Sequence, residues 1–245
     1  MPNASLDTLK GLQEFDSATL FNAVIESMGA SQGGTELEGK GGIPVNYTDS
    51  SIRSLLPNLG IAIGYAVTAE VTAMDPDSPK IPWDKYYDAM DEAEGPLIGV
   101  IKDVDTRSGR GASLGDGMAA THMFLGCTGI VVDGSVRDIA GIEAVGIPAW
   151  GQGLVPGHGV FTLIREGEPV VVGELLINPG DLLACDRDGI TKIPREMDPS
   201  IVLEKAREIR EKEQDYVKVF NRANLTWTDI KSYREEWVRE QAKKQ

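Results

Sequence analysis

The sequence predicts an α/β fold, and three stretches predict it. Residues 97–145 alternate short apolar runs with Ala- and Gly-rich segments of helical pattern, the strand–helix–strand–helix order that suggests parallel pairing. Residues 160–193 break into short β-rich runs divided by turn signals, the texture of a β-meander. From Asp198 onward the chain turns charged and helical.

Each element has a local reason. Over 7–29 one or two helices are expected. Asp16, Ser17 and Thr19 offer caps, and Leu20, Val24 and Ile25 an apolar face. Residues 30–50 are rich in Gly, Ser and Thr and read as loop. The long alternating run over 60–74 reads as strand, and the proline-bearing 75–80 as a turn. The acidic stretch 83–93 looks helical. The apolar run 97–104 reads as a buried strand. Residues 106–114 form a basic, Gly-containing loop that leads into Gly115-Asp116. Helix is then expected over 116–126, strand over 128–133 and helix over 138–145. Further strands are expected over 160–164, 169–177, 181–185 and 190–193, with turns at Asn178-Pro179-Gly180 and Arg187-Asp188-Gly189. Asp198 as N-cap and Pro199 at the first position start a helix that runs to about Phe220. A break over 221–226 precedes a last helix, roughly 229–241. The expected organisation is an α/β domain over 1–197 and a helical extension over 198–245. Trp227, Tyr233 and Trp237 interleave the charged tail, as expected of a segment at a subunit interface.

Composition narrows the function. The 245 residues are 41% hydrophobic with 28 glycines, as in a globular chain with many tight turns. A formal charge of −14 argues against nucleic acid, whose phosphates need a basic face. It leaves room for a small anion, because a metal and one arginine make a local positive site. No apolar run of about 18 residues predicts a membrane span. The first residues carry no signal-peptide pattern, and a cytoplasmic, reducing compartment is expected. Cys127 and Cys185 are then reduced and structural.

The chemistry-bearing feature is Asp116 followed, after twenty residues, by Arg137-Asp138. Two carboxylates can hold a divalent cation, and a guanidinium beside them can hold a carboxylate or a developing oxyanion. Taken singly, Asp116 reads as a helix N-cap, and Arg137-Asp138 as a surface ion pair or another cap. Asp133 reads as a turn or strand-end residue. His122 reads as a packed or exposed helix residue, and His158 lies in a turn. Arg107 or Arg110 could meet a distal substrate carboxylate. No motif places a lysine for a Schiff base, and no glycine-rich motif suits a nucleotide-like cofactor.

Gly115-Asp116, the string from Gly129 to Asp138 and the turn from Asn178 to Gly189 resemble the RraA-like family over roughly residues 15–215. That family includes class II pyruvate aldolases acting on 4-hydroxy-4-methyl-2-oxoglutarate and 4-carboxy-4-hydroxy-2-oxoadipate. It also includes regulators of ribonuclease E, which lack the first Asp. The resemblance implies a swivelling β/β/α sandwich assembled as a trimer or hexamer, with Mg2+ or Mn2+ in a cleft between subunits. It implies Asp138 as the direct metal ligand, Asp116 reaching the metal through water, and Arg137 contacting the substrate. The Gly115 turn, with the amides of Gly117 and Met118, would hold the pyruvyl carboxylate; a helix N-terminus suits an anion in any case. A glutamate from a neighbour's C-terminal helix completes the site, and Glu213 and Glu211 are its candidates. Gly141 departs from the family, whose aldolases often carry an acid three positions after the Arg-Asp aspartate. Glu143 stands two residues late, on another helical face. The expected activity is retro-aldol cleavage of a small 4-hydroxy-2-oxo acid to pyruvate, with oxaloacetate decarboxylation beside it. The alternatives are a non-catalytic protein-binding ring, or a related metal-dependent lyase or hydrolase with another substrate.

Overall fold

The structure, a computed structural model, describes residues 4–30 and 46–244; most of the loop expected over 30–50 lies outside them. Helices α1 (Leu6–Leu12) and α2 (Ser17–Ser27) open the chain. Ser5 Oγ accepts from the Thr8 amide at 3.1 Å, and Asp16 Oδ1 from the Thr19 amide at 2.7 Å. Each cap satisfies a donor that the helix start leaves free. Leu20, Ala23, Val24 and Ile25 of α2 are buried.

The α/β core follows in chain order: β1 (Arg53–Ser54), β2 (Ala62–Thr72), α3 (Asp84–Asp91), β3 (Leu97–Asp103), β4 (Ala112–Leu114), α4 (Asp116–Phe124), β5 (Cys127–Val136), α5 (Ile139–Val145) and β6 (Ala149–Leu154). Then come β7 (Thr162–Glu166), β8 (Val170–Val172), β9 (Leu175–Ile177), β10 (Leu182–Cys185) and β11 (Ile190–Ile193). A nine-stranded sheet runs β1-β6-β5-β3-β2-β10-β11, with β4 beside β5 and β7 beside β2; β8 and β9 pair separately. The pairs β2–β3, β3–β5, β4–β5 and β5–β6 are parallel, as the strand–helix alternation predicts.

Burial on both faces explains why these strands read as continuous apolar runs. On β3, Leu97 and Ile101 face a cluster that holds Tyr86, Met90, Ala119 and Ile142 from the helices. Ile98 and Val100 face the other way, toward Trp150, Val170, Leu175 and Ile177. This period-2 division puts helices on one side of the sheet and the β8–β9 hairpin on the other. Each fully buried Ile or Val contributes roughly 1.5–3 kcal/mol relative to exposure.

Five strand expectations change. Strand β4 sits inside the segment read as loop, and β1 and β6 were not expected. Strand β5 runs three residues past Asp133, so that residue lies within a strand. The single strand expected over 169–177 is a hairpin, because Gly173 (φ 48°) and Glu174 (φ 63°) both adopt the positive φ of a tight two-residue turn.

The chain divides into two compact units, Met1–Ala206 and Arg207–Gln245, with the division inside α6 (Pro199–Phe220). Asp198 caps α6 as expected, its Oδ1 accepting from the Ser200 amide at 2.9 Å. In the second unit α7 (Trp227–Lys244) packs on the end of α6 through rings: Tyr216 lies 5.9 Å from Tyr233 and 5.7 Å from Trp237. Among the described residues no helix is long and apolar enough to cross a membrane.

Candidate active site at the starts of two helices

Two short connections bring the sequence motif together. Strand β4 ends at Leu114, whose carbonyl accepts the Arg137 amide at 2.9 Å. That bond fixes the end of β5 against the turn Leu114-Gly115-Asp116. Residues separated by twenty others in sequence thereby become neighbours at the carboxyl end of parallel strands, where open α/β sheets place their crevices.

Asp116 is the first residue of α4, with Gly115 as its N-cap. Its Oδ1 accepts from the Gly117 amide at 2.7 Å. Arg137 Nε stands 3.2 Å from Asp138 Oδ2, and both side chains are partly exposed. Asp138 caps α5 in a left-handed conformation, φ 56° and ψ 39°. Its carbonyl accepts the Gly141 and Ile142 amides at 2.8 and 3.0 Å. A methyl group built at Gly115 would stand 3.1 Å from Asp138 Oδ2 and 3.4 Å from Arg137 Nε. A methyl built at Gly141 would stand 2.6 Å from Asp116 Oδ2. The two carboxylates and the guanidinium therefore surround the touching starts of α4 and α5.

Gly117 is exposed, with its amide on Asp116, and half-buried Met118 follows it in the first turn. The Met118 carbonyl accepts from His122 Nδ1 at 2.7 Å. His122 is fully buried, its Nε2 lies 3.3 Å from the Tyr86 hydroxyl, and burial pushes its pKa down to about 4. It is a neutral core histidine. His158 lies on an exposed turn, with Nδ1 at 2.7 Å from the Gly159 carbonyl.

Asp133, expected in a turn or at a strand end, is buried within β5. It binds Lys102 Nζ at 2.5 Å and Gln152 Nε2 at 2.6 Å, which commits it to holding strands β3, β5 and β6 together. Arg107 and Arg110 are exposed on the turn between β3 and β4. That turn is pinned from below: Asp103 Oδ2 accepts the Gly109 amide at 2.7 Å, and Ser135 Oγ donates to the Gly109 carbonyl at 2.8 Å. Burial raises the pKa of Asp103. Cys127 and Cys185 are both free and buried, and burial pushes the Cys127 thiol up to about 12. Glu211 and Glu213 are exposed on the part of α6 in the second unit. Among the described residues no group of three His, Cys, Asp or Glu side chains gathers for a metal ion. Sequence reasoning left out Gly141 as a site residue. Its departure from the family pattern was the available signal.

A family model described as RraA-like, Aldolase/RraA, matches residues 38–191. An uncharacterized protein of Methanocaldococcus jannaschii is 26% identical over 175 residues, 67% of this chain and 76% of that protein. A protein of Halalkalibacterium halodurans named "Putative 4-hydroxy-4-methyl-2-oxoglutarate aldolase" is 39% identical over 92 residues, 37% of this chain and 42% of that protein. Among solved structures, an uncharacterized protein of Pseudomonas syringae pv. tomato superposes with a TM-score of 0.68 at 19% identity, covering 94% of this chain and all of that one. The RraAS2 protein of Streptomyces coelicolor, described as an unusual member of the RNase ES inhibitor RraA family, superposes with a TM-score of 0.63 at 21% identity, covering 87% and 97%. The structural likeness extends across the α/β fold, and the sequence match spans the segment carrying Asp116, Arg137 and Asp138: the chain belongs to the RraA-like family.

Proposed function

We propose that this chain is a divalent-metal-dependent lyase that cleaves a small 4-hydroxy-2-oxo acid to pyruvate. One observation carries the reading: the carboxylates of Asp116 and Asp138 and the guanidinium of Arg137 meet at the N-terminus of α4. A ribonuclease-regulator role would not need the first carboxylate.

The donor set fits Mg2+ or Mn2+. Both carboxylates are hard oxygen donors, both are partly exposed, and such ions keep several waters beside one or two carboxylates. Asp138 would hold the ion directly, Asp116 through water, and Glu213 of a neighbouring copy would add a third carboxylate. Bound there, the ion would supply Lewis acidity toward the 2-oxo group.

The chain's own groups do the rest. The positive end of α4, with the Met118 amide in its first turn, favours the substrate carboxylate. Arg137 donates hydrogen bonds where negative charge grows as the C3–C4 bond breaks. The C4 hydroxyl would pass its proton, relayed by solvent, to the Asp116 carboxylate; C4 becomes a carbonyl, and the C3–C4 bonding pair moves to C3 as the pyruvate enolate. Protonation at C3 then releases pyruvate. Loss of CO2 from oxaloacetate leaves the same enolate, so that reaction belongs to the same site.

The test is a pyruvate-release screen over 4-hydroxy-2-oxo acids and oxaloacetate. The protein is assayed after exhaustive chelation and again with Mg2+ or Mn2+ added. Activity that appears only with the metal is expected, and full activity after chelation would sink the mechanism.

A further inference from the structure

Gly141 has no backbone reason to be glycine. It stands in the first turn of α5 and is not among the residues with positive φ. An alanine would favour the helix there, since glycine is the weaker helix former. Space is the remaining explanation. A methyl built at Gly141 would stand 2.6 Å from Asp116 Oδ2, 2.7 Å from Asp116 Cβ and 3.0 Å from Asp116 Cγ. Real side chains do not meet so closely, so the Asp116 side chain fills the volume that a residue at 141 would need. The other Asp116 oxygen is held by the Gly117 amide at 2.7 Å. The carboxylate is thus fixed between its own helix start and the bare Cα of Gly141.

We propose that Gly141 is a positioning residue that keeps open the space holding the Asp116 carboxylate in its place beside Arg137 and Asp138. The proposal rests on the metal reading above for its functional consequence, and on the Asp116–Gly141 contact alone for its structural one. It also makes the site particular to this chain. An acid at 141 would not add a ligand here. It would displace Asp116 and set two like charges against each other.

Two measurements test this on the full-length protein. The first is Mn2+ affinity, from the free-ion electron paramagnetic resonance signal. Gly141→Ala should weaken binding about tenfold or more, the scale seen when a group supporting a ligand is disturbed. Gly141→Asp should weaken it too, despite the added carboxylate. The second is a thermal-stability cycle. Gly141→Ala should lower Tm in the native background. In an Asp116→Gly background, which removes Cβ as well as the carboxylate, the crowding is gone, and the same change should raise Tm by roughly 2–4 °C through helix propensity alone. A Gly141→Ala or Gly141→Asp protein that binds Mn2+ as tightly as the native one would overturn the functional role. An equal Tm shift in both backgrounds would overturn the contact itself. A native protein that binds no Mn2+ would defeat the metal reading, and the Tm cycle would still decide the fate of the Asp116–Gly141 pairing.

Discussion

Arg137 and Asp138 are neighbours in sequence, and their side chains close on each other, Nε to Oδ2 at 3.2 Å. Successive residues of an extended strand point to opposite faces. The left-handed backbone of Asp138 breaks that alternation and turns both side chains to the same end of β5. Aspartate and asparagine tolerate this conformation better than most residues, and alanine would add roughly 1–2 kcal/mol of strain. Asp138→Asn should therefore keep a near-native Tm, while Asp138→Ala lowers it. Both should be almost inactive in pyruvate release, because each removes a charged oxygen donor. Asp138→Asn activity within about twofold of native would take Asp138 out of the site.

Arg137 offers a planar fork that can bridge carboxylate and enolate oxygens, which the point charge of lysine does poorly. Arg137→Lys should lose at least roughly tenfold in kcat/KM, about 1.4 kcal/mol of transition-state stabilisation. Steady-state kinetics on the best substrate of the screen decide this. A loss of less than about twofold would exclude Arg137 from a transition-state role.

Arg107 and Arg110 stand on a turn that Asp103 and Ser135 hold, and Ser135 lies two residues before Arg137 on β5. A rigid turn of this kind suits recognition of a second carboxylate. Replacing both arginines with alanine should raise KM for a dicarboxylate 4-hydroxy-2-oxo acid and leave a monocarboxylate analogue little changed. An equal change for both substrates would deny the pair a role in selecting the distal group.

His122 makes acid stability a readout of the core beneath α4. Its pKa falls from 6.5 to about 4 because burial penalises the imidazolium. The unfolded chain thus binds a proton near pH 6.5 that the folded chain refuses until about pH 4. The stabilisation is fully present above pH 6.5 and is lost as pH falls to about 4, an effect on the order of 3 kcal/mol. Asp103, whose pKa burial raises, acts in the opposite sense, so the comparison must be between native and variant proteins. Denaturant unfolding should show a smaller loss between pH 7 and pH 4 for His122→Gln than for the native chain. Parallel curves would mean that His122 charges in the folded state.

Much of the fold is legible because burial and turns write themselves into composition. Strands β3 and β10 read as unbroken apolar runs, and α2 and α6 announce their caps at Asp16 and Asp198. The strands that escape are those whose residues carry only a weak β signal. Ala112–Leu114 follows a glycine-rich loop, and Ala149–Leu154 contains two glycines, so tertiary pairing with β5 rather than propensity makes them strands. The candidate site was legible in residue type and spacing. Its closure was not. The Leu114–Arg137 backbone bond, the left-handed turn at Asp138 and the space at Gly141 are facts of the backbone path.

The last prediction concerns assembly. The second unit is a polar helical hairpin that nevertheless exposes Val217, Trp227 and Val238, each more than half accessible. In the first unit Phe124, at the end of the helix that Asp116 begins, is 87% exposed, with Met123 beside it. Large apolar side chains left in water on both units are natural interface anchors. A closed cyclic trimer, or its doubled hexamer, would cover them and bring Glu213 of one copy toward the carboxylates of the next. Deleting 221–245 should then weaken assembly more than it lowers the Tm of the remaining chain. Glu213→Ala should lower activity without changing particle size. Light scattering at assay concentration separates the possibilities: a fully active monomer would refute a shared site, and an inactive monomer regaining activity as it assembles would support one.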